Sequence, residues 1–229
     1  MGTAGRGGIG VRNEMAVHAA LKKLYCEPGD VLEGEVGPFV VDILKDARVV
    51  EVQRGGFASM RKKLGALLTE HVVHLVYPVA QEKYLVYISA ETGEVEQRRR
   101  SPKRGTVWDV FSELVYIPKL ITHPNFILEV VLIVEEEIRC CDGRGSWRRN
   151  GVSIVNRHLV DVVGRKVFSS PRHYLDVLPK SLPARFSNKD LSKTLNISTA
   201  AARRITYTLR EAGIIQLAGK EGNLLLYSR

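Results

Sequence analysis

Hydrophobic positions recur at helical or strand spacing, in a regular order, through the first ninety residues of the chain. The pattern predicts seven elements, in chain order a helix over 13–25, strands over 31–36, 38–44 and 48–53, a helix over 57–68, and strands over 71–77 and 83–88. Turn-forming residues separate these elements, among them Gly37, Asp46 and Gly55. We therefore expect a β-sheet with helices packed on it.

The middle of the chain has a less regular pattern. It contains the basic run 98–104, which we expect to be a solvated loop because it offers no apolar side chain to a core. A helix near 106–120 and a strand near 126–140 are predicted next. The weak pattern from 153 to 178 predicts a segment that is helical in part.

The final stretch has the pattern of a separate unit after a proline-containing linker. It predicts, in order, helices over 188–195 and 199–212 and strands over 214–218 and 223–227. Two helices joined by a tight turn and followed by a β-hairpin are the order of a winged helix-turn-helix. The whole chain is accordingly divided into a flexible N-terminus at 1–12, a core at 13–90, an extension packing on that core at 91–180, and a winged-helix unit at 181–229.

Charge is the unusual feature of the composition. The 229 residues include 34 Lys and Arg against 25 Asp and Glu, which gives a formal net charge of +9. Such an excess favours a polyanionic partner such as nucleic acid. Apolar runs are shorter than the roughly 18 residues that span a bilayer, so no membrane partner is expected. The cysteines, Cys26, Cys140 and Cys141, lack disulfide or zinc spacing, and we expect a cytoplasmic protein.

One predicted hairpin brings two carboxylates together. If 46–47 form its two-residue loop, Asp42 lies directly opposite Glu51 among apolar neighbours, and Gln53 lies on the same face. Opposed like charges in such surroundings are costly to desolvate, and a divalent cation compensates them. Oxygen ligands suit Mg²⁺ or Mn²⁺. The alternative is a pair of exposed carboxylates that bind neighbouring cations, Lys45, Arg48 or Arg54.

Asp42, the sequence Glu51-Val52-Gln53 and the α-β-β-β-α-β order resemble the PD-(D/E)xK nuclease superfamily, which includes restriction endonucleases and archaeal-type Holliday junction resolvases. The resemblance covers approximately 13–88 and implies an α/β, restriction-endonuclease-like αβββαβ core. It also implies that Asp42 and Glu51 bind the metal, and that Glu14, on the first helix, is an auxiliary ligand.

Two positions depart from the pattern of that superfamily. Val41 replaces the proline that commonly precedes the first acid. Gln53 replaces the lysine that helps to orient the attacking water, so the resemblance assigns Gln53 to that role without a positive charge. Arg61 or Lys62, on the following helix, is expected to supply the missing cation.

Two basic regions are candidates for contact with nucleic acid. The winged-helix unit presents an outward stripe and a basic wing, formed by Thr199, Arg203, Arg204, Tyr207 and Lys220. The run 98–104 is predicted to clamp phosphate through Arg98, Arg99, Arg100, Lys103 and Arg104. A winged helix used for protein contacts and an ordinary solvated run are the alternatives. Trp147, which two arginines follow, is predicted to lie in the core rather than to stack on an unpaired base.

Together these features predict a metal-dependent DNA endonuclease. It would hydrolyse phosphodiester bonds of double-stranded or branched DNA with Mg²⁺ or Mn²⁺, and a winged helix would position it. The alternatives are a non-catalytic DNA-binding regulator with a degenerate nuclease-like core, and a toxin or defence component that acts on RNA. The sequence leaves a homodimer open.

Overall fold

The computed structural model describes residues Ala16–Arg229, in which helices and strands alternate along the chain. The helices are α1 Ala16–Tyr25, α2 Phe57–Leu67, α3 Phe111–Leu114, α4 Pro171–Leu175, α5 Asn188–Leu195 and α6 Thr199–Glu211. The strands are β1 Val31–Val36, β2 Phe39–Lys45, β3 Arg48–Val52, β4 Val72–Ile88, β5 Val95–Arg100, β6 Phe126–Cys140, β7 Ser153–Phe168, β8 Arg185–Ser187, β9 Gln216–Glu221 and β10 Leu224–Ser228. Short 3-10 turns lie at Val107–Val110 and Trp147–Arg149.

Seven strands form one large mixed sheet in the order β1-β2-β3-β4-β6-β7, and β5 joins it beside β4. β4 is parallel to both β3 and β6, whereas the other neighbours in this sheet are antiparallel. Parallel neighbours need a long crossover, which α2 provides between β3 and β4 and the α3 segment provides between β4 and β6. The prediction of a mixed α/β fold with a large sheet and several helices is confirmed.

β4 joins two halves of this sheet because its ends have different neighbours. Its first residues, 72–76, pair with β3, and its last residues, 84–88, pair with β5. β6 runs beside both halves, with one shift of register between Ala80 and Glu82. The prediction of two separate strands here was wrong, because hydrogen bonding to β6 carries one strand through the polar stretch.

Several predictions for the middle of the chain were wrong as well. The basic run begins within β5, so its residues 98–100 are paired with β4 rather than held in a loop. The helix predicted near 106–120 is reduced to a 3-10 turn and α3. The segment predicted to be partly helical is mostly the strand β7, since pairing along β6 outweighs its weak local pattern. Trp147 lies between β6 and β7 with 82% of its surface exposed, not in the core.

Hydrophobic side chains fill both faces of the large sheet. On one face, Val17 and Leu21 of α1 pack on a cluster of buried strand residues. On the other face, Phe57 and Leu64 of α2 belong to a larger cluster that also contains residues of the C-terminal helices. The C-terminal unit therefore shares a hydrophobic core with the sheet.

The C-terminal unit has the predicted elements in the predicted order. β8, β10 and β9 form a three-stranded antiparallel sheet beside α5 and α6. α5 begins in a capping box, in which the backbone N–H of Asp190 donates to the Ser187 hydroxyl and the Ser187 N–H donates to the Asp190 carboxylate. Asn196, with a φ of 51°, ends α5, and the Ser198 hydroxyl caps α6. These caps fix the turn between the two helices.

Among residues 16–229 we find no helix with the length and apolar character needed to cross a membrane. The longest helix, α6, has 13 residues.

Candidate active site

Asp42 lies where the β2–β3 ladder ends. The predicted register is confirmed over its first pairs, Ile43 with Val50 and Leu44 with Val49, but the ladder stops before Asp42 and Glu51. Instead, the backbone N–H of Val52 donates to Oδ2 of Asp42 at 2.8 Å. The carboxylate therefore takes a backbone donor at the end of β3.

His18 brings α1 to the same point of the sheet. Its Nε2 atom lies 2.7 Å from the carbonyl oxygen of Val52 and 3.3 Å from Oδ2 of Asp42. Because a carbonyl oxygen only accepts, Nε2 is the donor in the shorter contact. Burial alone would raise the pKa of Asp42, but the hydrogen bonds from His18 and from the Val52 N–H outweigh it, so the pKa of Asp42 lies below its usual value. Asp42 is thus held as a carboxylate.

Glu51 is almost fully buried, with 1% of its surface exposed, on the face of β3 that α2 covers. The Nζ atom of Lys63, on α2, lies 2.5 Å from Oε1 of Glu51 and also donates to the carbonyl oxygen of Val40 at 2.6 Å. Burial raises the pKa of Glu51, the Lys63 ammonium lowers it in part, and the charge of Asp42 raises it, so the net pKa lies above its usual value. The two acids, hereafter the acid pair, therefore have pKa values displaced in opposite directions.

The cation that reaches the acid pair is not one of the two predicted from the sequence. Arg61 and Lys62 are exposed on α2, and Lys63 makes the contact. Lys63 lies three residues after Met60 and next to Leu64, both buried against the sheet, so its position on the inner half of the helix was readable from that spacing. Gln53 directly follows β3, is partly buried, and donates its backbone N–H to the carbonyl oxygen of Val76 at 2.8 Å.

Glu14, the predicted auxiliary ligand, lies outside the described residues. Within 16–229, no group of three or more His, Cys, Asp and Glu side chains is arranged to hold a metal ion. The acid pair alone thus offers two carboxylates on neighbouring strands.

A basic pocket follows the acid pair along the sheet. This pocket, hereafter the cationic pocket, has a volume of about 440 Å³. Its lining includes four cations, Arg54, Lys83, Lys103 and Arg104, together with Tyr77 and Asp109. The pocket lies beyond the end of β3, since Val52 is paired with Val76 and the next residues of β4 form its wall. It therefore presents positive charge beyond the end of β3, where Arg54 follows Gln53 in the chain.

Buried Glu135 of β6 holds two of these cations in place. Its Oε2 atom lies 2.7 Å from Nη1 of Arg54, and its Oε1 atom lies 2.8 Å from Nζ of Lys83. Burial raises the pKa of Glu135, but Arg54 and Lys83 outweigh it, so the pKa lies below its usual value. Glu135 is therefore a fixed counter-charge, while Lys103 and Arg104 line the pocket as two further cations, of which Arg104 also pairs with Glu82.

The arginines of β5 are engaged by acidic and aromatic side chains. Arg98 pairs with Glu136 at 2.8 Å and lies 3.9 Å from the centre of the Tyr84 ring, while Arg100 pairs with Glu82 at 2.5 Å. The guanidinium of Arg99 donates to the Tyr87 hydroxyl at 3.2 Å, and Arg104 also pairs with Glu82. The arginines predicted to clamp phosphate thus lie mostly on a strand, where they already contact protein side chains.

α6 exposes the predicted stripe and buries its opposite face. Thr199, Arg203, Arg204 and Tyr207 are exposed, whereas the inner residues are buried, namely Ala202, Ile205 and Leu209. Lys220 is exposed on β9, next to the turn that joins β9 to β10. Arg204 and Tyr207 line hollows shared with the segment 108–120 and α2, so part of the stripe faces the large sheet's own helices.

The chain belongs to the family described as "Domain of unknown function (DUF8091)", which matches residues 15–169 and so includes all seven strands of the large sheet. It is also similar to an uncharacterized protein of Treponema pallidum (strain Nichols), with 30% identity over 223 residues, covering 96% of this chain and 87% of that protein. No solved structure matches the chain.

Proposed function

We propose that this member of the DUF8091 family is a metal-dependent nuclease that cleaves DNA at the acid pair, on a restriction-endonuclease-like core. The observation that carries the proposal is the contact of Lys63 with Glu51 near Asp42, on a strand whose end leads to the cationic pocket. Neighbouring carboxylates with displaced pKa values, one of them almost fully buried against a lysine, are typical of catalytic sites. The pocket suits the anionic backbone of nucleic acid.

The residues at the acid pair fit a hard divalent cation. Mg²⁺ commonly takes one or two carboxylates and keeps several waters. The acid pair provides two carboxylates. Bound there, Mg²⁺ or Mn²⁺ would lower the pKa of water and stabilise charge on a phosphodiester. Asp42 and Glu51 would hold the ion, and Glu14 remains a proposed third ligand.

The surrounding side chains would bind and orient the substrate. Lys63 would stabilise negative charge on the phosphate once Glu51 has a second cationic partner, and the Gln53 amide would orient water. Lys103 and Arg104, which line the cationic pocket, would bind a neighbouring phosphate. His18 would keep Asp42 ionised and in position.

The C-terminal unit would place this core on the nucleic acid. We propose that it acts as a winged helix, with Arg203 and Thr199 of α6 in a groove and Lys220 at phosphate. Support comes from the order of its elements and from the exposure of these residues. Double-stranded or branched DNA is the proposed partner.

Cleavage assays with matched variants test the proposal. We expect the purified protein to cleave supercoiled or branched DNA with Mg²⁺ or Mn²⁺ and not with EDTA, and we expect Asp42→Asn and Glu51→Gln to remove this activity. Glu70→Gln, which changes an exposed acid on the turn after α2, is the matched control and should cleave normally. Cleavage that survives EDTA, or that both acid-pair variants retain, would contradict the proposal.

A non-catalytic DNA-binding regulator is the second candidate, and the Lys63–Glu51 ion pair favours it. That contact already neutralises the buried acid, and Gln53 offers no charge of its own. This candidate predicts that the protein shifts DNA in electrophoresis but cleaves neither DNA nor RNA with any divalent ion. Cleavage of RNA alone would instead indicate the RNA-acting alternative.

A further inference from the structure

The hairpin that joins β6 to β7 ends in an exposed tryptophan. The connecting residues 141–152, hereafter the hairpin tip, carry Trp147 with 82% of its surface exposed. Burying a tryptophan is strongly favourable, so an exposed tryptophan at the end of a hairpin is a candidate contact for a binding partner when polar or charged groups beside it suit that partner.

Backbone hydrogen bonds give the hairpin tip a defined conformation. The N–H of Gly145 donates to the carbonyl oxygen of Gly151 at 2.8 Å, and the N–H of Val152 donates to that of Arg149 at 3.0 Å. A Cβ atom added at Gly145 would lie 1.9 Å from the Val152 carbonyl oxygen, so only glycine fits there. Trp147 therefore lies on a loop whose conformation is held by backbone hydrogen bonds.

Positive charge lies close to this ring. Arg144, Arg148 and Arg149 lie in the hairpin tip, and the Arg148 guanidinium lies 5.5 Å from the centre of the Trp147 ring. The acid of the tip, Asp142, accepts hydrogen bonds from the Arg144 N–H and from the Ser153 hydroxyl, so it serves the loop itself. The exposed surface of the tip is aromatic and cationic.

We propose that the hairpin tip is a binding site for single-stranded nucleic acid, in which Trp147 stacks on an unpaired base and the neighbouring arginines bind phosphate. Aromatic rings beside Lys or Arg are the means by which proteins hold single strands, because every base has a face to stack on. The bases of an intact duplex are already stacked, so the ring selects unpaired ones.

A membrane surface fits the hairpin tip less well. Apart from Trp147, residues 142–151 are glycine, polar or charged. Insertion into a bilayer requires an apolar face of several side chains, whereas one ring suffices to stack on one base. The composition therefore favours nucleic acid.

The hairpin tip lies far from the acid pair, at the other end of β4. Val76 of β4 is paired with Val52 at the acid pair, and Ile88 is paired with Cys140 at the base of the tip. These twelve steps along β4 correspond to about 40 Å. The arginines of β5 flank the second part of this path. The tip thus extends the nucleic-acid surface, and its binding does not depend on the cleavage proposed for the acid pair.

Fluorescence anisotropy with a labelled fifteen-nucleotide oligo(dT), in EDTA, tests the inference without any cleavage. We expect Trp147→Ala to weaken binding by about 5-fold to 150-fold, the loss of one base–aromatic stack. Trp147→Phe should recover part of the affinity because it keeps a ring. Trp108→Phe, which changes the other tryptophan, should bind like the wild type. A blunt duplex of the same length should bind equally well to wild type and Trp147→Ala.

Three outcomes would overturn the inference. The first is single-strand binding by Trp147→Ala that equals the wild type. The second is an equal loss of affinity for the duplex, which would make the ring a general contact. The third is a Trp147-dependent binding to phosphatidylglycerol vesicles with none to oligo(dT), which would assign the tip to a membrane. Since the assay contains no divalent ion, a protein that fails to cleave DNA can still satisfy it.

Discussion

The Nζ atom of Lys63 lies 2.5 Å from Oε1 of Glu51, a carboxylate that the sheet and α2 bury almost completely. One residue from a helix thus neutralises an acid from a central strand, next to a second acid, Asp42. The contact joins α2 to β3, and it sets how strongly the site attracts a further cation.

Removing the ammonium should destabilise the fold. Lys63→Met leaves Glu51 buried without its partner, and we expect the free energy of unfolding at pH 8 to fall by about 3 kcal/mol. Because the pKa of Glu51 is already raised, the variant should regain stability as the pH falls and Glu51 takes up a proton. Urea denaturation at pH 8 and pH 5 measures both effects. Lys62→Met, at the exposed neighbour, should change stability by less than about 0.5 kcal/mol, and an equal loss in both variants would contradict the prediction.

Glu129 should make the protein sensitive to acid. Burial raises its pKa, but hydrogen bonds from His74, Arg165 and Tyr25 outweigh this and lower the pKa to about 2. A lowered carboxyl pKa stabilises the folded state above the unfolded value and loses that contribution as the pH falls through the folded value. We expect about 3 kcal/mol at pH 7, lost between pH of about 4.5 and about 2.

Glu129→Gln tests this expectation. The variant should be less stable at pH 7, and its urea midpoint should approach that of the wild type towards pH 2. Glu70→Gln, at an exposed position, provides the control. A difference between Glu129→Gln and wild type that is constant from pH 7 to pH 2 would show that charge on Glu129 contributes nothing.

Arg203 and Arg204 should dominate DNA binding by the C-terminal unit. Each cation that contacts a phosphate adds about 1 to the slope of log affinity against log salt, so we expect Arg203→Ala with Arg204→Ala to reduce that slope by about 2. Salt titrations of duplex binding measure it. Arg172→Ala, exposed on α4, should leave the slope unchanged. An unaltered slope in the double variant would remove α6 as the DNA-binding element.

Gly145→Ala should disable the hairpin tip without unfolding the protein. The added methyl group collides with the Val152 carbonyl, so the loop must rearrange and lose its presentation of Trp147. We expect oligo(dT) affinity to fall towards that of Trp147→Ala while the thermal midpoint changes little. Normal affinity in this variant would mean that the loop conformation is irrelevant to binding.

Gly65 of α2 offers a prediction of the opposite sign. A Cβ atom added there meets nothing within 4 Å, and the residue is inside a helix. Gly65→Ala should therefore raise the free energy of unfolding by about 0.5–1 kcal/mol, since alanine favours helix more than glycine does. Chemical denaturation measures the change, and a loss of stability would indicate that α2 packs more tightly than its open surface suggests.

Local patterns predicted the hairpin that carries Asp42 and Glu51, because its strands are short and strongly periodic. The two-residue loop at 46–47 fixed the pairing of Ile43 with Val50, since loop length sets the register of a hairpin. The same reasoning failed one pair later, where Asp42 binds the Val52 N–H with its side chain. Counting residues from the loop predicts backbone pairs, but it cannot predict that a side chain will accept the backbone N–H in place of a carbonyl oxygen.

The sequence by itself determined the mixed α/β class, the order of most elements, the exposed stripe of α6, and the closeness of Asp42 to Glu51. Those features follow from spacing along the chain, which local backbone geometry converts into faces and turns. Only the tertiary structure decided that Lys63 reaches Glu51, that β4 runs unbroken beside β6, and that Trp147 stands exposed. Each of these depends on which distant strand or helix lies alongside. The local sequence around a charged or aromatic residue is the same whether its side chain contacts protein or water.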